Sequence, residues 1–243
     1  MRYACFGDVH GNLEALEAVL AVLAGEGIDR YLCTGDLVGY GPDPAACVQR
    51  IRELGATVVA GNHDLAVVGK RDVLRFGRLA RYSLIQTSRV LSREQKRYLA
   101  GLPMVENIDG KITLCHAAVH DLESFPYLKT PEQAAASLQA LSTQIGLVGH
   151  THIRHGWVEQ DDSAALLTSE QIVLQPGCRY LVNPGSAGQP RDQDPRAAFA
   201  IYDEQTCEFE FRRVEYDIDK CSAKFNSDDP FAEWFAERLR RGI

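Results

Sequence analysis

The sequence predicts an α/β fold, because apolar strand-like runs alternate with amphipathic helical segments along the first sixty residues. Units of this β-α-β-α-β kind build parallel sheets. After residue 150 the chain carries short strand-like runs without long helices between them, which predicts a second sheet built largely from hairpins. No internal repeat, low-complexity tract or linker interrupts the 243 residues, so we predict a single domain over residues 1–243.

The first half of the chain divides into elements by its periodicity. Leucines at positions 13, 16, 20 and 23 fall on one helical face. Pro44 is typical of the first turn of a helix, which we predict to run to residue 54. Further helices are predicted over 74–100 and 131–141. Apolar runs predict strands over 3–6, 31–33, 57–60, 111–115 and 147–148.

The second half contains five more predicted strands and a terminal helix. The helix begins at Asp229 and Pro230 and carries an apolar stripe. Core packing is the main prediction for this stripe and a dimer surface is the alternative, so a homo-oligomer stays open. The stripe consists of Phe231, Trp234, Phe235 and Leu239. The predicted strands are 153–159, 171–175, 180–182, 198–202 and 208–214.

Composition excludes several classes of protein. The longest apolar run, residues 18–24, has seven residues, so no membrane span is expected, and no signal peptide is visible. The net charge of −7 argues against broad nucleic-acid binding. The seven cysteines are odd in number and far apart, which favours core packing in a reducing cytoplasm over disulfides or zinc. We therefore expect a cytoplasmic protein.

Metal-type ligands follow five of the predicted strands. Because the carboxyl ends of parallel strands share one sheet edge, we expect these side chains to converge. Carboxylates, an amide and imidazoles suit Mn, Fe, Ni or Zn. They outnumber the ligands of one tetrahedral ion, which favours two divalent ions that share a carboxylate. The residues are Asp8, His10, Asp36, Asn62, His63, His116, His150 and His152.

Each of these motifs has a simpler interpretation when it is taken alone. Asp8 and His10 could be turn residues before a helix, and Gly35-Asp36 is common turn chemistry. Two imidazoles at His150 and His152 are harder to explain without a metal. The occurrence of all five motifs at strand ends, in one order, favours a metal site over five independent turns.

The motifs resemble those of the calcineurin-like metallophosphoesterase superfamily, in particular its small bacterial and archaeal phosphoesterases. The resemblance implies a four-layer α/β/β/α sandwich with two mixed sheets and a dinuclear metal site. It implies Asp8, His10 and His152 on one metal, Asn62, His116 and His150 on the other, and Asp36 bridging both. The matching runs are 7–12 (GDVHGN), 35–36 (GD), 61–64 (GNHD), His116, 149–152 (GHTH) and 183–191 (NPGSAGQPR).

The expected reaction is hydrolysis of phosphate mono- or diesters, or of nucleotide pyrophosphate bonds, by a hydroxide held between the two metals. His63 is the candidate for protonating the leaving oxygen. Asp64 is the candidate for orienting that ring and raising its pKa, with a turn or cap role as the alternative. The candidate substrate contacts are Asn12, His120 and Arg191, and Asn12 fits a helix N-cap equally well.

Two departures from the family pattern bear on the substrate. The run 35–43 lacks the Asp-Arg pair of protein Ser/Thr phosphatases, which argues against a eukaryotic-type protein phosphatase. His120 stands where the small relatives often carry an arginine. A small phosphorylated substrate or nucleotide is therefore the expected partner. A protein phosphatase or a nuclease is the alternative, and a non-catalytic metal-binding scaffold is disfavoured because every ligand position is filled.

One segment of the chain is strongly basic. Residues 70–97 contain nine basic and two acidic side chains, a net charge of +7, which leaves −14 on the remainder. A solvated helix face is the main interpretation. The alternative is a rim that steers an anionic substrate towards the site or grips a nucleotide.

Overall fold

The computed structural model describes residues 1–226 and 228–243, and two six-stranded sheets organise them. The strands of the first sheet are β1 (Arg2–Phe6), β2 (Arg30–Cys33), β3 (Thr57–Val58), β9 (Gln171–Val173), β11 (Ala197–Asp203) and β12 (Glu208–Val214). Their order across the sheet is β3-β2-β1-β11-β12-β9. The first three run parallel, and the others are antiparallel to their neighbours.

The second sheet is also mixed. Its strands are β4 (Val105–Ile108), β5 (Ile112–Cys115), β6 (Ile145–Leu147), β7 (His155–Gln160), β8 (Ser163–Leu167) and β10 (Tyr180–Asn183). Their order is β4-β5-β6-β10-β7-β8. Strand β6 lies parallel to both β5 and β10, and the remaining pairs are antiparallel.

Helices flank the two sheets. The helices are α1 (Leu13–Leu23), α2 (Pro44–Leu54), α3 (Asn62–Val67), α4 (Arg78–Val90), α5 (Arg93–Ala100), α6 (Pro131–Ala140), α7 (Ile218–Ser222) and α8 (Ala232–Arg241). The longest of those described, α4, has 13 residues. Within the described part of the chain, no helix combines the length and the apolar character that crossing a bilayer needs.

Three apolar clusters separate four layers. Tyr3 and Leu32 of the first sheet pack with Leu114 of the second in a core between the sheets. The opposite face of the first sheet packs against helices of the N-terminal half, and the outer face of the second packs against α6 through side chains such as Leu138 and Trp157. The predicted four-layer α/β/β/α sandwich with two mixed sheets is confirmed.

One part of the predicted topology is wrong, because the late strands do not form a sheet of their own. Strands β11, β12 and β9 complete the first sheet, in which Ala4 of β1 lies opposite Ile201 of β11. Six of the seven residues of β11 are buried, so this strand suits the centre of a sheet covered on both faces. Strands β4 to β6 belong to the second sheet, which β7, β8 and β10 complete.

The segment predicted as helix over 74–100 is divided. A 3-10 turn covers Val73–Arg75, and α4 and α5 are separated at Leu91, whose backbone is extended. The Ser92 hydroxyl accepts the Gln95 amide, and the Gln95 side chain accepts the Ser92 amide. This capping box begins a new helix. Strands β4 and β8 were not predicted, and β8, Ser-Ala-Ala-Leu-Leu, has no β-branched residue.

Candidate metal centre

The predicted ligands converge, although their strands belong to two sheets rather than one. Strands β1, β2 and β3 carry ligands from the first sheet, and β5 and β6 carry them from the second. The Asp8 carboxylate after β1 accepts the His150 amide after β6 at 3.0 Å. His116 Nδ1, after β5, lies 2.7 Å from the Thr34 carbonyl oxygen after β2. The ends of the two sheets therefore meet at one place.

The backbone turns sharply at the ligands. Five of them adopt left-handed φ angles between 48° and 67°, a region that non-glycine residues rarely occupy. Such strain persists only where the surrounding structure enforces it, and it is typical of functional sites. The five residues are Asp8, His10, Asp36, His150 and His152.

A glycine precedes some of these strained residues for a steric reason. A Cβ at Gly7 would lie 1.8 Å from Thr34 Oγ1, and a Cβ at Gly149 would lie 2.5 Å from the same atom. Only glycine lets the two strand ends approach each other this closely. The Gly-Asp and Gly-His pairs of the sequence therefore reflect close packing beneath the site.

The first group of candidate ligands contains Asp8, His10 and His152, whose ligand atoms lie close enough together to hold one ion. His152 Nε2 lies 3.4 Å from Asp8 Oδ1 and 3.0 Å from His10 Nε2. All three side chains are buried. This cluster of one carboxylate and two imidazoles could hold a divalent transition-metal ion.

The second group contains Asp36, His116 and His150, with Asn62 beside them. His116 Nε2 lies 3.2 Å from His150 Nδ1 and 3.0 Å from Asn62 Oδ1. Asp36 Oδ2 lies 3.3 Å from His116 Nε2 and 3.5 Å from His10 Nε2 of the first group. The Asp36 carboxylate thus lies between the two groups.

Backbone carbonyl oxygens fix the orientation of three imidazoles. The Nδ1 atoms of His10, His116 and His152 lie 2.6–3.0 Å from the carbonyl oxygens of Val38, Thr34 and Gln189. Each Nδ1 therefore donates a proton to a carbonyl, which leaves Nε2 as the unprotonated nitrogen that faces the centre. Metal-binding histidines are held in this way.

The charges of the centre also fit bound cations. Asp8 and Asp36 are buried together among the histidine side chains, and burial raises the pKa of Asp8 to about 7. A buried carboxylate is costly unless a positive charge compensates it. Two divalent ions would supply that charge, so the donor set and its electrostatics fit a metal centre.

His63 lies at the edge of the centre, at the start of α3. Its ring centroid is 4.7 Å from that of His10, and it forms a third cluster with His10 and Asp36. A Cβ at Gly39 would lie 2.3 Å from His63 Nδ1, so glycine is needed there. This Nδ1 is enclosed and has no hydrogen-bond partner among the described residues. Burial lowers the pKa of His63 to about 4.

Asp64 contacts the backbone rather than the His63 ring. Its two carboxylate oxygens accept the amides of Leu37 and Gly61 at 2.9 and 3.0 Å. It thereby joins the loop after β2 to the start of α3. This geometry matches the cap role that the sequence left as the alternative, and among the described residues Asp64 makes no hydrogen bond to the His63 ring.

The three candidate substrate contacts have different positions. Asn12 is buried, caps α1 through the Ala15 amide and donates to the Gly188 carbonyl oxygen. His120 is exposed and contacts Ser137 of α6, away from the centre. Arg191 lines the cavity above the centre. The structure therefore brings only Arg191 to the position expected of a substrate contact.

A cavity of about 270 Å³ opens above the metal ligands. Arg71 and Arg75 of the basic segment line it, which favours the rim interpretation for these two residues. Its lining also includes aromatic residues that were not predicted from the sequence, among them Tyr40 and Tyr127. The Tyr127 ring stacks on His150 with the centroids 4.2 Å apart. Of these two tyrosines, only Tyr40 lies close to a motif of the sequence, because it stands between two glycines shortly after Gly35-Asp36.

Comparison with known proteins identifies the family. Residues 1–206 match the calcineurin-like phosphoesterase superfamily domain. The chain is 38% identical over 242 residues to an uncharacterized protein of Methanocaldococcus jannaschii, covering 98% of this chain and 97% of that protein. It superposes on the crystal structure of a metallophosphoesterase from Sphaerobacter thermophilus with a TM-score of 0.87, 36% identity and full coverage of both chains.

A shorter stretch of the sequence also matches a named enzyme. A segment of 62 residues is 47% identical to the symmetrical bis(5'-nucleosyl)-tetraphosphatase of Pectobacterium atrosepticum, covering 24% of this chain and 22% of that protein. The full-length matches and the metal-type cluster at the strand ends agree. The chain belongs to the calcineurin-like phosphoesterase superfamily and is a phosphoester hydrolase.

Proposed function

We propose that the chain hydrolyses small phosphate esters, nucleotides among them, at a centre that holds two divalent transition-metal ions. The position of Asp36 carries this proposal. Its Oδ2 atom lies within 3.5 Å of a histidine of each ligand group, as a carboxylate shared by two ions requires. The first ion would be held by Asp8, His10, His152 and Asp36, and the second by Asp36, Asn62, His116 and His150.

The bound ions would supply positive charge and would lower the pKa of water at the centre to near neutrality. Asp8 and Asp36 are the two carboxylates of the set, and the other ligands are neutral. Two divalent ions would therefore leave the centre with a net positive charge. Such a centre attracts a phosphate ester and stabilises the charge that develops on its oxygens.

The walls of the cavity are suited to an anion. Arg71, Arg75 and Arg191 line it, and no carboxylate of the described residues does. None of these three arginines forms an ion pair within residues 1–226 and 228–243. The N-terminal end of α4, at Gly77 and Ala80, also borders the cavity and adds the positive end of the helix dipole. These groups would bind the phosphoryl oxygens.

His63 is the residue that we assign to the leaving oxygen. Its ring lines the cavity beside the centre without being part of either of the two main ligand groups. A bound phosphate dianion would raise the pKa of a neighbouring imidazole and make a proton available. Asp64 would act through the backbone, by holding the α3 start in place.

Nucleotides are the substrate class best supported. The centre is locally cationic although the chain as a whole is acidic, so small anions are favoured over nucleic acids. The local likeness to a bis(5'-nucleosyl)-tetraphosphatase supports the same class. The volume of about 270 Å³ suits a small ester.

A substrate panel tests the proposal. The purified chain would be loaded with Mn, Ni or Fe and assayed on an aryl phosphate monoester, an aryl phosphodiester, a dinucleoside polyphosphate and a phosphopeptide. We expect metal-dependent hydrolysis of the small esters or of the dinucleoside polyphosphate, which stops on chelation. Turnover confined to the phosphopeptide would indicate a protein phosphatase, and no turnover with any metal would contradict the proposal.

A further inference from the structure

A second cavity adjoins the one above the metal ligands. Its volume is about 480 Å³, and Tyr40, Gly77 and Ala80 line both cavities, so the two are adjacent. Its far wall is formed by Phe231, Trp234 and Arg238, together with Arg78 and Leu79 of α4. We call this second cavity the aromatic groove.

The groove presents aromatic surface next to positive charge. Trp234 is 39% exposed, so part of its ring faces the groove and is accessible. The guanidinium carbon of Arg238 lies 4.8 Å from the Trp234 ring centroid and 5.7 Å from that of Tyr40. The guanidinium carbon of Arg78 lies 5.3 Å from the Phe231 centroid. An aromatic platform and two cations thus share one short groove.

No aspartate or glutamate among the described residues pairs with these two cations. Neither Arg78 nor Arg238 forms an ion pair with a carboxylate side chain in the described part of the chain, and no such side chain lines the groove there, although Arg238 Nε donates to an Ile243 main-chain oxygen at 2.5 Å. Burial lowers the pKa of Arg238 to about 10, with Arg191 as a further cause. A partly buried cation without a counter-ion is stabilised by an anionic ligand.

Tyr40 lies between the groove and the candidate metal ligands. The Tyr40 ring centroid lies 4.8 Å from those of His10 and His63, and its other neighbours include Arg238. A ligand with phosphate at the metal centre would pass Tyr40 and Arg238 before it reaches Trp234. The side chains along this path are mainly arginines near the candidate ligands and mainly aromatic rings at the far wall.

We propose that the aromatic groove binds the nucleobase of a phosphorylated substrate, with Trp234 and Phe231 stacking on the base and Arg238 contacting the phosphate chain. The inference rests on the proposed function and specifies its substrate class. Stacking on aromatic side chains accepts any base, because every base has a π face. Phe231, Trp234 and Arg238 follow residue 206, at which the family match ends, so this wall of the groove lies outside the matched family domain.

Binding of two matched ligands tests the groove. The probes are α,β-methylene-ADP and methylenediphosphonate, which share the phosphonate chain and differ in the nucleoside. We expect the metal-loaded enzyme to bind the nucleotide about tenfold more tightly, as calorimetry would measure. Trp234→Ala should reduce this preference about tenfold. The matched control is Arg240→Ala on the same helix, since Arg240 pairs with Asp219 and Glu233 on the surface.

Fluorescence locates the base independently of turnover. Trp234 is exposed and Trp157 is buried, at 3% exposure. The nucleotide should quench wild-type emission, and Trp234→Phe should lose the quenching while it keeps most of the affinity. Three results would each contradict nucleobase binding in the groove. They are equal affinities for the two probes, an unchanged preference in Trp234→Ala, and tighter binding of a phosphotyrosine peptide. If the enzyme binds the nucleotide probe more tightly but hydrolyses none of the four test substrates, only the proposed function is overturned.

Discussion

The metal centre and the aromatic groove are built in different ways. Ligands of the centre stand at strand ends of two packed sheets, and backbone carbonyls hold their rings. The groove is built by side chains of two helices, and Trp234 is partly exposed there. The candidate ligands are thus held by the two sheets, whereas α4 and α8, which are far apart in sequence, contribute most of the proposed nucleobase site. Changes at the centre should therefore abolish turnover, and changes along the walls should alter binding.

The largest effect is expected for Asp36→Asn. The substitution keeps the shape of the side chain but removes the charge shared by the two ligand groups. We expect the loss of one ion and a fall in kcat of about a thousandfold, measured by elemental analysis and initial rates. Asp109→Asn, which changes an exposed partner of Arg30, is the control. Two retained ions with near wild-type kcat would contradict the bridging role.

His63→Ala should separate chemistry from metal binding. We expect both ions to stay and kcat to fall by about 10²–10⁴, the usual contribution of a proton donor. His120→Ala is the matched control, because His120 is exposed and lies away from the centre. Loss of an ion in His63→Ala would instead make His63 a ligand, in line with its cluster with His10 and Asp36.

Arg191→Ala should act on binding. Its guanidinium lines the cavity over Tyr40 and has no ion-pair partner in the described residues. The loss of a charged contact to phosphate should lower kcat/KM roughly 10- to 100-fold, mostly through KM. Arg154→Ala, which removes an arginine stacked on Phe211, should change neither constant. An unchanged KM in Arg191→Ala would remove this residue from the phosphate site.

Asp64→Asn should give the smallest effect, on stability. An asparagine can accept only one of the two amides, from Leu37 and Gly61, that the carboxylate accepts now. We expect the free energy of unfolding to fall by about 1–3 kcal/mol in urea titrations. Both ions should still bind. A large loss of kcat at unchanged stability would indicate that Asp64 takes part in the chemistry.

Much of the centre could be predicted from the sequence, because short motifs record local geometry. Asp8 and His150 each follow a glycine that the close packing at Thr34 requires, and this steric demand appears as Gly-Asp and Gly-His. Sheet membership could not be predicted, since the pairing of β1 with β11 joins residues almost 200 positions apart. The groove escaped prediction for the same reason: the position of Trp234 beside Tyr40 depends on how α8 packs.

Anomalous diffraction from crystals loaded with manganese would show directly whether the centre holds two ions. We expect two peaks about 3.5–4 Å apart, one on each side of the Asp36 carboxylate. The first should contact Asp8, His10 and His152, and the second Asn62, His116 and His150. A single peak, or a second peak away from the latter three residues, would contradict a dinuclear centre.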